Sequence, residues 1–215
     1  MESLAIYVII GPPILLALTI HEYAHGWVAD RLGDPTARMA GRLTLNPLAH
    51  LDPIGTILLF VARIGWAKPV PVNPYYFRDP RVGILYVSLA GPGANLLAAL
   101  VFGIACRGLG LRSLAPVHGG ALGVLEIMLV FAVYINLVLA VFNLIPVPPL
   151  DGSKILASAV GGSVARSYEE FSRYGSFVLF GIILAEMLTG ARILWAVIGP
   201  FVRFFSVLFV GSPLA

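Results

Sequence analysis

Cysteine and charge are the two things this 215-residue chain has little of. Its single thiol, Cys106, excludes an internal disulfide framework and any metal site built from cysteines; lying in an apolar run, it is expected in the core or against lipid. Charged residues make up only 12% of the chain against 59% hydrophobic ones, and the mean hydropathy is +0.91. A soluble domain of this length cannot hide so much apolar surface, so the chain belongs in a bilayer. The net charge of +3 does not argue for a nucleic-acid partner, because the basic residues are thinly spread in the connections between apolar runs, where they read as topology signals. Repeats, low-complexity tracts and long linkers are absent, and no stretch is left for an appended soluble domain. A single integral membrane domain over 1–215 is expected. No Lys or Arg precedes the first apolar segment, and that segment ends in histidines rather than in a small-residue cleavage site, so it is not a signal peptide.

What is there is a series of apolar segments of spanning length. The first runs from about Leu4 to Val28, with Gly11, Pro12 and Pro13 able to kink it. A second covers Gly83 to Cys106 and a third Ala121 to Ile145. Gly175 to Thr189 is short, and Ile193 to Val210 contains Pro200 and Arg203; these two form either two spans or one long tilted hairpin. The expected fold is an all-α polytopic bundle of about four to five transmembrane helices. Between the first two spans Ile54 to Ile64 has re-entrant or interfacial length. The proline-rich stretch Trp66 to Pro74 cannot be helical and should form an extended, strand-like loop at the membrane face. Trp66 and the cluster Tyr75-Tyr76-Phe77 read as interfacial anchors.

Orientation follows from Lys and Arg. With the N-terminus outside, the inner connections hold Arg31, Arg38, Arg42, Arg63, Lys68, Arg78, Arg81, Lys154, Arg166 and Arg173, while the outer ones hold Arg107, Arg112 and Arg192. That excess favours a cytoplasmic position for the end of the first span.

This end carries His21-Glu22-Tyr23-Ala24-His25. Residues four apart share a helix face, so His21 and His25 can offer two imidazoles to one metal with Glu22 beside them as a base. Such a trio at membrane depth is a functional site by default. A catalytic zinc needs a third protein ligand and an open position for water. Asp151, Glu126, Glu186, His50 and His118 are candidates, and Asp151 is the best placed, because the third span delivers Asn143 through Gly152 to the same depth. The prolines of that stretch free backbone groups, which a membrane tolerates only around a watery cavity or inside protein.

The bland alternatives are concrete. The histidines could hydrogen-bond helix carbonyls, Glu22 could pair with Arg31 or Arg42, and Asp151 could cap the short helix that follows it. Asn143 could bridge helices, and Asn95 either packs between helices or touches substrate. His50 is expected to hold the loop rather than a metal. His118 lies on the wrong side, and Glu126 and Glu186 are bundle hydrogen bonders.

The combination of His21-Glu22-Tyr23-Ala24-His25, Gly91-Pro92-Gly93-Ala94-Asn95 and Asn143 through Asp151-Gly152 resembles the site-2 protease family of intramembrane zinc metalloproteases. Asn46 through Gly55 and Lys68 through Asn73 are similar to its compact prokaryotic branch. The resemblance covers roughly residues 1 to 160, with membrane segments at about 173–210 beyond it. It implies one Zn2+ per chain held by His21, His25 and Asp151, with Glu22 as the general base and Asn143 steadying the oxyanion or the substrate backbone. It also implies a transmembrane protein as substrate and a multi-pass place in a prokaryotic cell membrane. A membrane metal-binding scaffold or a metal transporter is the competing reading, but a transporter should repeat its ligands across inverted halves, and no such repeat is visible. Neither the substrate nor the oligomeric state is written in the sequence.

Overall fold

The computed structural model of the chain describes residues 2–55, 65–160 and 162–214. The helices are α1 (Glu2–Arg31), α2 (Thr36–Met39), α3 (Pro80–Gly108), α4 (Gly120–Asn143), α5 (Asp151–Val160), α6 (Gly162–Thr189) and α7 (Ile193–Val210), with 3-10 turns at Pro47–His50 and Pro74–Tyr76. Among the described residues the one sheet-like pairing is an antiparallel bridge between Leu51 and Ala67, so the strand-like loop is a coil tied at one rung. The re-entrant run expected at 54–64 falls almost wholly outside the described residues.

Four of these helices are long and apolar enough to cross a bilayer: α1 from Ile6, α3, α4 and α7. The chain is a polytopic helical membrane protein. In a medium with no water to satisfy stray peptide groups, a spanning segment stays helical even across proline, and α1 runs unbroken through Pro12 and Pro13 as α3 does through Pro92. Helix α3 begins where Asp79 accepts hydrogen bonds from the Arg81 and Val82 amides and Pro80 takes the first helical position, which needs no N–H. Helix α7 ends at Gly211, whose φ of 91° only glycine adopts without strain.

Contacts fix the direction of each crossing. Ala17, His21 and His25 of α1 meet Asn95, Gly91 and Val87 of α3 in reverse order, so the two helices are antiparallel. Helix α4 runs back beside both, with Asn136 bonded to Asn95. Helix α7 starts level with Tyr134, whose ring lies 6.2 Å from that of Trp195, and ends with Phe209 against Gly103 and the Leu208 carbonyl on Arg107. It therefore runs parallel to α3.

This direction corrects one expectation: Arg192 does not share a side with Arg107 and Arg112. The end of α7 sits there instead, with the Ser212 hydroxyl donating to the Arg112 carbonyl. The reason is α6, which is not among the four spanning candidates. Its first half is polar, and the apolar remainder from Gly175 is shorter than the roughly 20 residues a crossing needs. The start of α1 and the end of α7 then lie on the same face of the bundle, away from the histidines.

The core lies in that far half, where Ala99, Cys106, Val130, Val133, Leu137, Ile198, Val202 and Phe209 pack between α3, α4 and α7. Cys106 is fully buried there. Tyr75, Tyr76 and Trp66 are exposed as anchors should be, but Phe77 is only 6% exposed. Its ring fills the space left by Gly83 and packs with Ala29 and Val87, so it is a core residue rather than an anchor.

Candidate metal centre

Two helices supply the three ligand side chains. His21 and His25 come from one face of α1, and Asp151 is the first residue of α5, reached after α4 ends at Asn143 and the proline-rich turn carries the chain back under α1. Asp151 Oδ2 lies 3.2 Å from His21 Nε2 and 3.1 Å from His25 Nε2, and the two imidazole nitrogens are 3.0 Å apart. All three residues are buried. Among the described residues this is the one group of His, Cys, Asp or Glu atoms close enough to share a metal.

The proton positions say what the group wants. His21 Nδ1 faces Asn95 Oδ1 at 2.6 Å, and His25 Nδ1 faces the Val87 carbonyl at 2.7 Å. Both partners accept only, so in each neutral ring Nδ1 carries the proton and Nε2 presents a lone pair. Asp151 Oδ2 is buried without a hydrogen-bond donor. Three electron pairs thus converge on one point with no proton between them, an arrangement that repels itself unless a cation fills it. Two imidazoles and a carboxylate with room for a fourth ligand are the donor set of a catalytic zinc. The outer oxygen, Oδ1, faces Lys154 Nζ at 3.6 Å, one turn along α5.

Gly91 makes room for this centre. A Cβ at that position would overlap both imidazoles, so α3 can pass this close to the metal-binding face of α1 only with glycine there. The small residues expected to bring helices together bring a helix backbone against two rings.

The centre opens into a cavity of about 510 Å³ lined by Glu22, Val70, Val72, Val87, Ser88 and Asn143 among others. Glu22 pairs with no cation among the described residues. Its Oε2 accepts the Val70 amide at 2.9 Å, while Arg31 lies over the Trp27 ring and Arg42 points elsewhere. Asn143 reaches the cavity with one amide hydrogen committed to the Leu139 carbonyl of its own helix, 3.0 Å away, and the rest of its amide free of described partners.

Val70 belongs to an extended strap, Lys68–Pro74, anchored at both ends. Arg42 is buried and donates to the Lys68 and Pro69 carbonyls at 2.5 and 3.2 Å, and the His50 carbonyl accepts the Lys68 amide at 2.9 Å. At the far end the fully buried Asp34 accepts the Asn73 amide at 2.6 Å. His50 is itself buried, with Nε2 donating to the Thr44 carbonyl, so it holds the loop and takes no part in the centre. Glu126 fixes the His118 loop at the opposite membrane face, and Glu186 accepts the Leu194 amide at the start of α7.

Sequence reasoning brought together His21, Glu22, His25, Asn143 and Asp151, and the structure places all five around one cavity. It missed Asn136 and the strap anchors Arg42 and Asp34. The signal for Asn136 was available: an amide in the middle of the apolar run Leu129 to Val141 has no cheap place unless it is bonded.

The chain is similar to known proteins over most of its length. The pattern of Peptidase family M50 matches residues 117–185. The chain is 40% identical over 196 residues to the "Putative zinc metalloprotease YwhC" of Bacillus subtilis, covering 90% of this chain and 86% of that protein. It is 30% identical over 191 residues to the "Putative zinc metalloprotease Rip2" of Mycobacterium tuberculosis, covering 86% and 70% respectively. No solved structure matches.

Proposed function

Given that this chain belongs to peptidase family M50, the site-2 protease family of zinc metalloproteases, we propose that it hydrolyses a peptide bond within or near the transmembrane segment of a membrane protein. The observation that carries the reading is the convergence of His21 Nε2, His25 Nε2 and Asp151 Oδ2 at the end of an apolar helix of spanning length, beside the Glu22 carboxylate, which pairs with no cation among the described residues. One zinc ion per chain fits these three atoms, and when bound it supplies Lewis acidity toward a carbonyl and lowers the pKa of water.

The protein's own groups do the rest. Glu22 lines the same cavity and takes the proton from the attacking water, then returns it to the leaving amine. The uncommitted amide hydrogen of Asn143 donates to the developing oxyanion. A helical substrate must unwind first, because its peptide groups are already bonded to one another. The strap offers it an alternative. Pro69, Pro71 and Pro74 have no N–H, the Val70 amide is held by Glu22 and that of Asn73 by Asp34, so the Val72 amide and the carbonyls beside it are left to pair with an extended peptide. Val70, Val72 and Ile84 give that peptide apolar walls.

The site faces the cytoplasm in this reading, because the connections on its side hold Arg31, Arg38, Arg42, Lys68, Arg78, Arg81 and Lys154. The test is zinc content together with cleavage of a panel of single-span membrane proteins in liposomes, native protein against Glu22→Gln. Equal zinc near one per chain with cleavage only by the native protein supports the reading. A native protein with no stoichiometric metal overturns it.

A further inference from the structure

Behind His21 lies a chain of buried amides crossing three helices. Asn95 on α3 and Asn136 on α4 are both fully buried. Asn136 Nδ2 donates to the Ala132 carbonyl at 2.8 Å, which leaves its Oδ1 to accept from Asn95 Nδ2, also at 2.8 Å. The same Asn95 nitrogen donates to the Ala17 carbonyl of α1 at 3.0 Å, and Asn95 Oδ1 is left facing His21 Nδ1. Carbonyls accept only, so rotating either amide by half a turn would set oxygen against oxygen. One arrangement is self-consistent, and in it His21 must carry its proton on Nδ1.

We propose that Asn95, held in orientation by Asn136, is a positioning residue that locks His21 as an Nε2 ligand before any metal arrives. His25 needs no such help, because the Val87 carbonyl does the same for it from the α3 backbone. A carboxylate would orient His21 equally well but would bring a second charge into a fully buried place; an amide supplies the acceptor without the charge, provided its own hydrogens are satisfied, and Ala17 and Asn136 satisfy them. This accounts for two asparagines where one hydrogen bond to histidine is needed.

The inference rests on the zinc reading, and its test reads metal affinity. Zinc dissociation constants are measured by chelator competition in detergent for the native protein, Asn95→Ala, Asn95→Asp, Asn136→Ala and the double alanine variant, with thermal midpoints of the metal-free proteins alongside. Asn95→Ala is expected to weaken zinc about 10- to 100-fold. Asn95→Asp keeps an acceptor for His21 Nδ1 but sets its second oxygen against the Ala17 carbonyl and Asn136 Oδ1, so it should melt earlier than the native protein yet bind zinc more tightly than Asn95→Ala. Asn136→Ala should weaken zinc less, and the double variant no more than Asn95→Ala alone. If the amides only join helices, every variant will melt earlier and bind zinc as tightly as the native protein, and the inference fails. Should Asn95→Ala not fold, Asn136→Ala and Asn95→Asp still decide between those outcomes. A native protein that binds zinc but cuts nothing sinks the protease reading and leaves this one standing; a native protein that binds no zinc sinks both.

Discussion

The two halves of the bundle are held together by different means. Toward the face where α1 ends, α1, α3 and α4 are joined by hydrogen bonds among His21, His25, Asn95, Asn136 and backbone carbonyls. Toward the other face the interior between α3, α4 and α7 is apolar side chains and one close backbone approach, Gly103 against Phe209, and hydrogen bonds are left to the exposed rim, where Arg107 meets the Leu208 carbonyl. Lipid is as apolar as leucine, so the second kind of contact gains only from fit, whereas the first gains because every polar atom it involves would otherwise be stranded. Polar bonding sits where the chemistry needs fixed geometry, and plain packing sits where only cohesion is needed.

Substitutions can separate the halves. The largest effect is expected for His25→Ala, which removes one of three ligands: zinc should fall below stoichiometric levels by elemental analysis, and cleavage should vanish with it. Glu22→Gln keeps an acceptor for the Val70 amide and so leaves the strap in place. It should retain zinc while cleavage drops by about 10²- to 10⁴-fold in a liposome assay. Asn143→Ala should lower kcat by about 10²-fold with zinc content unchanged, since one donor to the oxyanion is lost; a change in KM alone would contradict its assignment. On the opposite side Gly103→Val should drive a side chain into Phe209 and lower stability by about 1–3 kcal/mol in detergent unfolding, without altering zinc affinity. Loss of zinc in that variant would show that the two halves are coupled after all. Smallest, Arg42→Lys keeps the charge but not the fork that reaches two carbonyls, and a rise of a few-fold in KM is expected as the strap loosens.

The same division explains what could be read in the sequence. His21 and His25 are four apart on one helix, and Asp151 follows a run of prolines at matching depth, so local spacing and membrane depth were enough to assemble the centre. The long-range partners were not legible. Asn136 and Asn95 are 41 residues apart, and Arg42 reaches carbonyls 26 and 27 positions away; nothing in local pattern says which amide or carbonyl a buried polar group will find. The length of Gly175 to Thr189 leaves open whether it crosses, but the charge count places Arg192 as though it did, and so on the wrong face. Phe77 read as an interfacial anchor because it follows two tyrosines, yet the glycine six residues later decides its place.

The prolines of the strap have one more consequence. An extended segment with open backbone groups, confined to the plane of a membrane with other copies of itself, is a template for runaway association, since strand can add to strand without end. Pro69, Pro71 and Pro74 remove the donors that such stacking requires, and Asp34 and Glu22 take two of those that remain. With the Val72 amide as the free donor left between its anchors, the strap suits the single extended peptide of the proposed reading and offers a second copy of itself too few donors to extend a sheet, so crowding in the membrane should not drive strand-on-strand association.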